Sequence, residues 1–175
     1  MILPPLAILV LILLSLVIAL AVYILFRPII AGAIYFPTMP SSVEIVRQFT
    51  GAAARPGAKV ADLGSGDGRI LIALARDGAE AHGFEVNPLL VLQSRRAIRK
   101  AGLADKAFVH WQSFWKANLS DYDAVVVYGF PPIMKRLGRK LMRELRPGTR
   151  TISNVYHFHE MKVSAEKDQV LLYII

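Results

Sequence analysis

At 175 residues the chain has room for one ordinary domain plus an appendage, because a single hydrophobic core is built from about 100 to 150 residues. Its 54% hydrophobic content exceeds that of ordinary soluble domains, and with no cysteine it can form neither disulfides nor thiolate-held metal sites. The formal net charge of +8 suits an anionic partner, either a membrane leaflet or a nucleic acid.

The apolar excess sits at the N-terminus. No residue from Met1 to Phe26 is charged, and every Lys, Arg, Asp and Glu lies at or after Arg27. That run exceeds the roughly 20 helical residues needed to cross a bilayer core, so residues 1–27 are expected to form a transmembrane anchor. Pro4 and Pro5 fall in its first turn, where a missing N–H costs little. The competing expectation is a cleaved signal peptide with Ala31-Gly32-Ala33 as the cleavage site. Against it, no basic residue precedes the run, which is also longer than the roughly 7 to 15 residues of a signal core. The downstream positive charge places the rest of a single-pass membrane protein in the cytoplasm, with the N-terminus outside.

Residues 28–51 read as a connector ending in a short helix. Ser41-Ser42-Val43-Glu44 has the form of a capping box, and Gly51 ends the helix. Residues 52–175 then alternate strand and helix. Ala58–Leu63 is an apolar run entering a glycine loop, and Arg69–Arg76 has helical spacing. Glu80–Glu85 is a second strand, Pro88 opens a helix running to about Lys100, and Ala107–Trp111 is a third strand. Within Tyr122–Tyr128, the run Ala124-Val125-Val126-Val127 is what a strand buried on both faces of a parallel sheet requires. Residues 133–145 form a basic amphipathic helix ended by Gly148. Thr149–Phe158 and Gln169–Ile175 are the remaining strands. Such alternation predicts right-handed crossovers and a doubly wound α/β sheet, whose ligands bind at the carboxyl ends of the strands.

Gly64, Gly66 and Gly68 follow a strand and open a helix, the context in which glycines let backbone amides approach a ligand. A nicotinamide dinucleotide motif needs a small residue where this chain has Arg69. Asp62 and Asp67 would also repel a pyrophosphate, whereas S-adenosylmethionine (SAM) presents an ammonium and a sulfonium, so charge favours SAM. Glu85, ending the second strand, is placed to accept hydrogen bonds from both ribose hydroxyls. A solvated strand-end carboxylate is the plain alternative.

The segments Val60–Arg69, Gly83–Pro88, Phe114–Lys116 and Leu119–Gly129 resemble a family of membrane-anchored, seven-strand protein-lysine methyltransferases that use SAM. The family includes the mitochondrial enzymes acting on the ATP synthase c subunit and the adenine nucleotide translocase. The similarity reaches upstream to Tyr35-Phe36-Pro37-Thr38 and covers roughly residues 23 to 146. It implies a Rossmann-like class I methyltransferase sheet with helices on both faces, preceded by one transmembrane helix. It also implies a cofactor site of Asp62, Gly64, Ser65, Gly66, Asp67, Gly68, Glu85, Asn87, Ser113 and Tyr128. There are two departures. Ser113 stands where the family has an Asp contacting the adenine, and the chain after Phe158 is short for a full seventh strand.

Methyl transfer from a sulfonium is an in-line displacement that needs positioning and exclusion of water more than a strong acid. Tyr128, ending the central strand, is the candidate to orient an acceptor amine, with a core tyrosine as the alternative. Tyr35 and Thr38 are candidates to cover the cofactor. Phe130-Pro131-Pro132-Ile133 lacks the polar and aromatic ends of the Asn/Asp-Pro-Pro-aromatic motif that holds a planar amine, which disfavours nucleic acid as substrate. His157 and His159 are read as alternating on one strand face beside Glu160, but no third ligand is evident and no metal is expected. The expected activity is protein-lysine N-methylation of a membrane or membrane-associated protein. The alternatives are methylation of a lipid or small amphiphile, or a non-catalytic SAM-binding membrane adaptor.

Overall fold

The computed structural model describes residues 4–30, 38–52 and 55–175. Contacts divide the chain into two units, Met1–Ile34 and Tyr35–Ile175. The first contains helix α1 (Pro5–Ile30), of which Pro5–Tyr23 is long and apolar enough to cross a membrane by length and composition. The Ser15 hydroxyl donates to the Ile12 carbonyl at 2.8 Å, so this polar side chain is satisfied within the helix.

The second unit begins with helix α2 (Pro40–Thr50), followed by β1 (Lys59–Leu63), α3 (Arg69–Arg76), β2 (Glu80–Glu85), α4 (Pro88–Lys100) and β3 (Ala107–Trp111). A 3-10 turn (Phe114–Lys116) leads to β4 (Ala124–Val127), α5 (Pro131–Glu144), β5 (Arg150–Asn154), β6 (Val163–Lys167) and β7 (Val170–Ile174). The strands form one seven-stranded sheet in the order β3-β2-β1-β4-β5-β7-β6. β1 to β5 run parallel, while β7 enters antiparallel between β5 and β6.

Period-2 alternation sorts the side chains of the central strands into two cores. Val60, Ala124 and Val126 pack with Val46 of α2, Leu71 and Leu74 of α3 and Val91 of α4. Ala61, Val125 and Val127 face the other way, onto Met134, Leu137 and Leu141 of α5. Arg47 of α2 pairs with Asp77 at the end of α3 and donates to it from Nε at 2.7 Å, which pins α2 to α3.

Several expectations are corrected. The capping box does not form: Pro40 takes the first helical position with Met39 as N-cap, and Glu44 turns instead to Arg47 and Gln48. The seventh strand is complete, and what the short C-terminal part lacks is a crossover helix between β5 and β6. Residues 155–162 make that connection without helix, and Phe158 is buried within it against Tyr173, with ring centroids 5.4 Å apart. β5 stops at Asn154, so His157 and His159 lie in the connection and share no strand face. Val155, at φ 73, ends the strand by turning the backbone out of extended conformation.

Candidate functional site

β1 delivers the chain into Gly64–Gly68 at the carboxyl edge of the sheet. Gly64, Gly66 and Gly68 have φ of 90, 55 and 83, a region that side chains resist. The Gly64 and Ser65 amides donate to the Phe84 carbonyl at 2.9 and 3.3 Å, stitching the loop to the end of β2. There Glu85 is buried. Its Oε2 accepts from the Gly66 amide at 3.1 Å, and its Oε1 accepts from the amides of Val86 and Asn87, each at 2.7 Å. These amides fix the direction of the carboxylate. Asn87 in turn caps α4, its Oδ1 accepting from the Leu89 amide at 3.0 Å.

Asp62 ends fully buried beneath the loop. Burial, followed by the charges of Glu85 and Asp67, pushes its carboxyl up to about 7 from an ordinary 3.8. Asp67 pairs with Arg69 at 2.7 Å, and Arg69 also donates to the Thr38 carbonyl at 2.9 Å. The segment entering α2 is thereby tied to the glycine loop, and Thr38 is buried there. Tyr35 lies outside the described residues.

Ser65 is buried with its hydroxyl turned toward Gly83 of β2. A Cβ on Gly83 would lie 2.4 Å from the Ser65 Oγ and 2.6 Å from the Leu71 side chain. Ser65 therefore serves the loop by close packing on the strand. Gly83 is a site-building residue that the sequence reading did not single out, although a glycine inside a strand signals such close approach.

The ends of β2 and β3 are joined as well. The Gln112 amide donates to the Glu85 carbonyl at 3.0 Å, and the Trp111 indole N–H donates to the Val86 carbonyl at 3.1 Å. Ser113 follows, half-buried at the start of the 3-10 turn. Leu63 pairs in register with Val127, so Tyr128 leaves β4 at the level of Gly64. It is half-buried, and Gly129 beside it is buried, where a Cβ would come within 2.6 Å of the Met134 sulfur. The sheet edge thus gathers Asp62, the glycine loop, Glu85, Asn87, Ser113 and Tyr128. Its carboxylates and backbone amides are chemically suited to a ligand with positive charge and a vicinal diol. A pyrophosphate would meet repulsion from Asp62 and Glu85.

The family model described as the ANTKMT methyltransferase domain matches residues 62–165. The chain belongs to this family.

Among its relatives, the ATP synthase c-subunit lysine N-methyltransferase of Mus musculus is 35% identical over 142 residues, covering 79% of this chain and 58% of that protein. A protein-lysine N-methyltransferase of Saccharolobus islandicus (strain REY15A) is 30% identical over 125 residues, covering 70% of this chain and 78% of the relative. The chain spans about three-fifths of the length of the ATP synthase-directed enzymes it matches. An RNA methyltransferase from Salinibacter ruber, solved with S-adenosyl-L-homocysteine, superposes with a TM-score of 0.72 at 28% identity over 79% of this chain and 92% of that one. The ANTKMT-type domain therefore carries the class I methyltransferase sheet, with β7 inserted antiparallel.

Proposed function

We propose that the chain is a SAM-dependent protein-lysine N-methyltransferase acting on a membrane or membrane-associated protein. The observation that carries the cofactor half is the carboxylate set of Asp62, Asp67 and Glu85 around a loop whose glycines expose backbone. Family membership carries the lysine. Glu85 holds the ribose diol, and Asp62 and Asp67 favour the cationic end. Gly64, Ser65, Gly66 and Gly68 supply the close backbone approach, while Asn87 and Ser113 flank the adenine. When bound, SAM supplies an electrophilic methyl group for in-line displacement. Tyr128 orients the acceptor amine beside the cradle, and the partly desolvated surroundings favour the neutral amine that the reaction needs. Thr38, buried beside the glycine loop, covers the cofactor side.

The apolar span Pro5–Tyr23 anchors the enzyme in the bilayer, with the domain on the cytoplasmic side as the placement of positive charge suggests. Pro131 and Pro132 are the opening residues of α5, flanked by Phe130 and Ile133, so no polar side chain stands there to hold a base amine. Nucleic acid is therefore the weaker reading of the substrate.

The test incubates the full chain with labelled SAM and membrane fractions, beside a Glu85→Ala control. Label on lysine of a membrane protein, absent from the control, is the expected result. Label confined to lipid or RNA overturns the lysine assignment, and a wild-type chain that binds no SAM by calorimetry overturns the cofactor assignment.

A further inference from the structure

A second charged surface lies on α5, which packs on the sheet face opposite to α3. Trp115, Arg136, Arg139, Lys140 and Arg143 line an open recess of about 310 Å³. The Arg136 guanidinium sits 4.3 Å from the centre of the Trp115 ring, which holds it in place. Lys140 is buried and already committed, donating at 2.7 Å to both the Ala117 carbonyl and Glu144. Glu144 also takes Arg143 at 2.9 Å. Burial works against its charge, but the Lys140 and Arg143 hydrogen bonds prevail and hold its carboxyl below the usual range. The Arg139 side chain forms no hydrogen bond or ion pair among the described residues. Glu144 thus pairs with two of the four cations, Lys140 and Arg143, leaving an excess of guanidinium groups, whose planar forks match phosphate oxygens.

The exposed positions of the same helix also include Lys135 and Met142, with Pro131 and Pro132 at its start. Cations flanked by apolar side chains suit a bilayer surface. A single-stranded nucleic acid would need an open aromatic face, and the face of Trp115 is covered by Arg136.

We infer that the α5 recess docks on the phosphodiester headgroups of an anionic leaflet, giving the chain a membrane contact separate from α1. This rests on the membrane-anchored reading above. Its consequence is a domain whose posture on the bilayer depends on lipid charge and salt.

The test uses the full chain with Trp111→Phe, so that Trp115 is its remaining indole. It is reconstituted with nanodiscs of phosphatidylcholine alone, or of phosphatidylcholine with a third phosphatidylglycerol, each carrying headgroup-spin-labelled lipid. Quenching of Trp115 fluorescence should be at least about threefold stronger in the anionic discs, be lost in molar salt, and fall in Arg139→Glu and in the combined Arg136→Gln, Arg139→Gln, Arg143→Gln variant. Arg139→Glu removes no hydrogen bond or ion pair among the described residues, so it separates docking from folding. Equal quenching in the two lipids, or quenching indifferent to Arg139→Glu, overturns the inference. So does protection of Trp115 by an RNA oligonucleotide without any lipid dependence, which would reassign the surface to nucleic acid. Carbonate extraction from vesicles reports on α1 independently. Charge-dependent quenching of an extractable chain removes the anchor and keeps the recess, and a carbonate-resistant chain without quenching does the reverse.

Discussion

The Gly66 amide donates to Glu85 Oε2 at 3.1 Å, so the loop after β1 and the end of β2 share one carboxylate. Replacing Glu85 with Gln removes the charge while keeping the shape. SAM affinity is expected to fall about 10- to 100-fold, the range for hydrogen bonds to a charged acceptor. Calorimetry on Glu85→Gln checks this, and an unchanged affinity would remove Glu85 from the ribose.

Asp62 gives the apoprotein a pH signature. Its folded carboxyl titrates near 7 rather than 3.8, so the folded state binds the proton more tightly than the unfolded chain does. The stabilising proton is fully in place below about 4 and is lost as pH rises through about 7, a change of at most about 4 kcal/mol. The apo melting temperature should therefore decline from about pH 5 to pH 8, and Asp62→Asn should flatten this slope. A cationic ligand favours the ionised form, so SAM should bind more tightly as pH rises through the same interval, with proton release. Proton-linked calorimetry in two buffers measures it, and a flat profile for the wild type would contradict the role given to Asp62.

Gly83 leaves room for nothing larger. Alanine there would press on both Ser65 and Leu71, and overpacking of this kind costs about 1 to 3 kcal/mol. Chemical denaturation should register that loss in Gly83→Ala, along with weaker SAM binding. Adding Ser65→Gly should recover part of the binding. If the double variant is no better than the single, Ser65 is not the point of conflict.

Tyr128 stands at the level of Gly64, at the end of β4. Its replacement by Phe should lower kcat about tenfold while leaving the SAM dissociation constant within about twofold. Parallel turnover and binding assays separate the two effects. A matched loss in both would make Tyr128 part of the cofactor site.

The turn at Val155 carries a β-branched residue at φ 73, tied down by the Ser153 hydroxyl donating to the Tyr156 carbonyl at 2.5 Å and by the Val155 amide donating to the Gln169 carbonyl at 2.7 Å. Asn tolerates this backbone region. Val155→Asn is expected to stabilise the fold by about 1 kcal/mol, read as a higher denaturation midpoint. Destabilisation would show that packing of the Val155 side chain outweighs the strain.

Much of the fold was legible because glycine and proline punctuate it. Arg69–Arg76 and Pro88–Lys100 follow directly from the glycine loop and from Pro88, and the Ala124–Val127 run announces its own burial. β6 was missed for a physical reason. As an edge strand, Val163–Lys167 buries little, and its turn to β7 places the non-glycine residues Asp168 and Gln169 at φ 45 and 66, without the Asn-Gly signature of such hairpins. The supposed strand face of His157 and His159 failed because nothing local in the sequence announces the turn at Val155. In the candidate site the charge pattern made Asp62 and Glu85 readable. The reach of Arg69 to Thr38 and the packing of Ser65 on Gly83 join distant segments, which no local spacing records.

The stitching of Gly64 and Ser65 to the Phe84 carbonyl also bears on time. Those amides extend the β1–β2 hydrogen bonding, so they should exchange with solvent deuterium only when the sheet opens there, far more slowly than a surface loop would. A cradle kept in shape by the sheet does not wait for its ligand to assemble it. Association should accordingly run in a single phase proportional to ligand concentration, and any slow step in turnover must lie elsewhere.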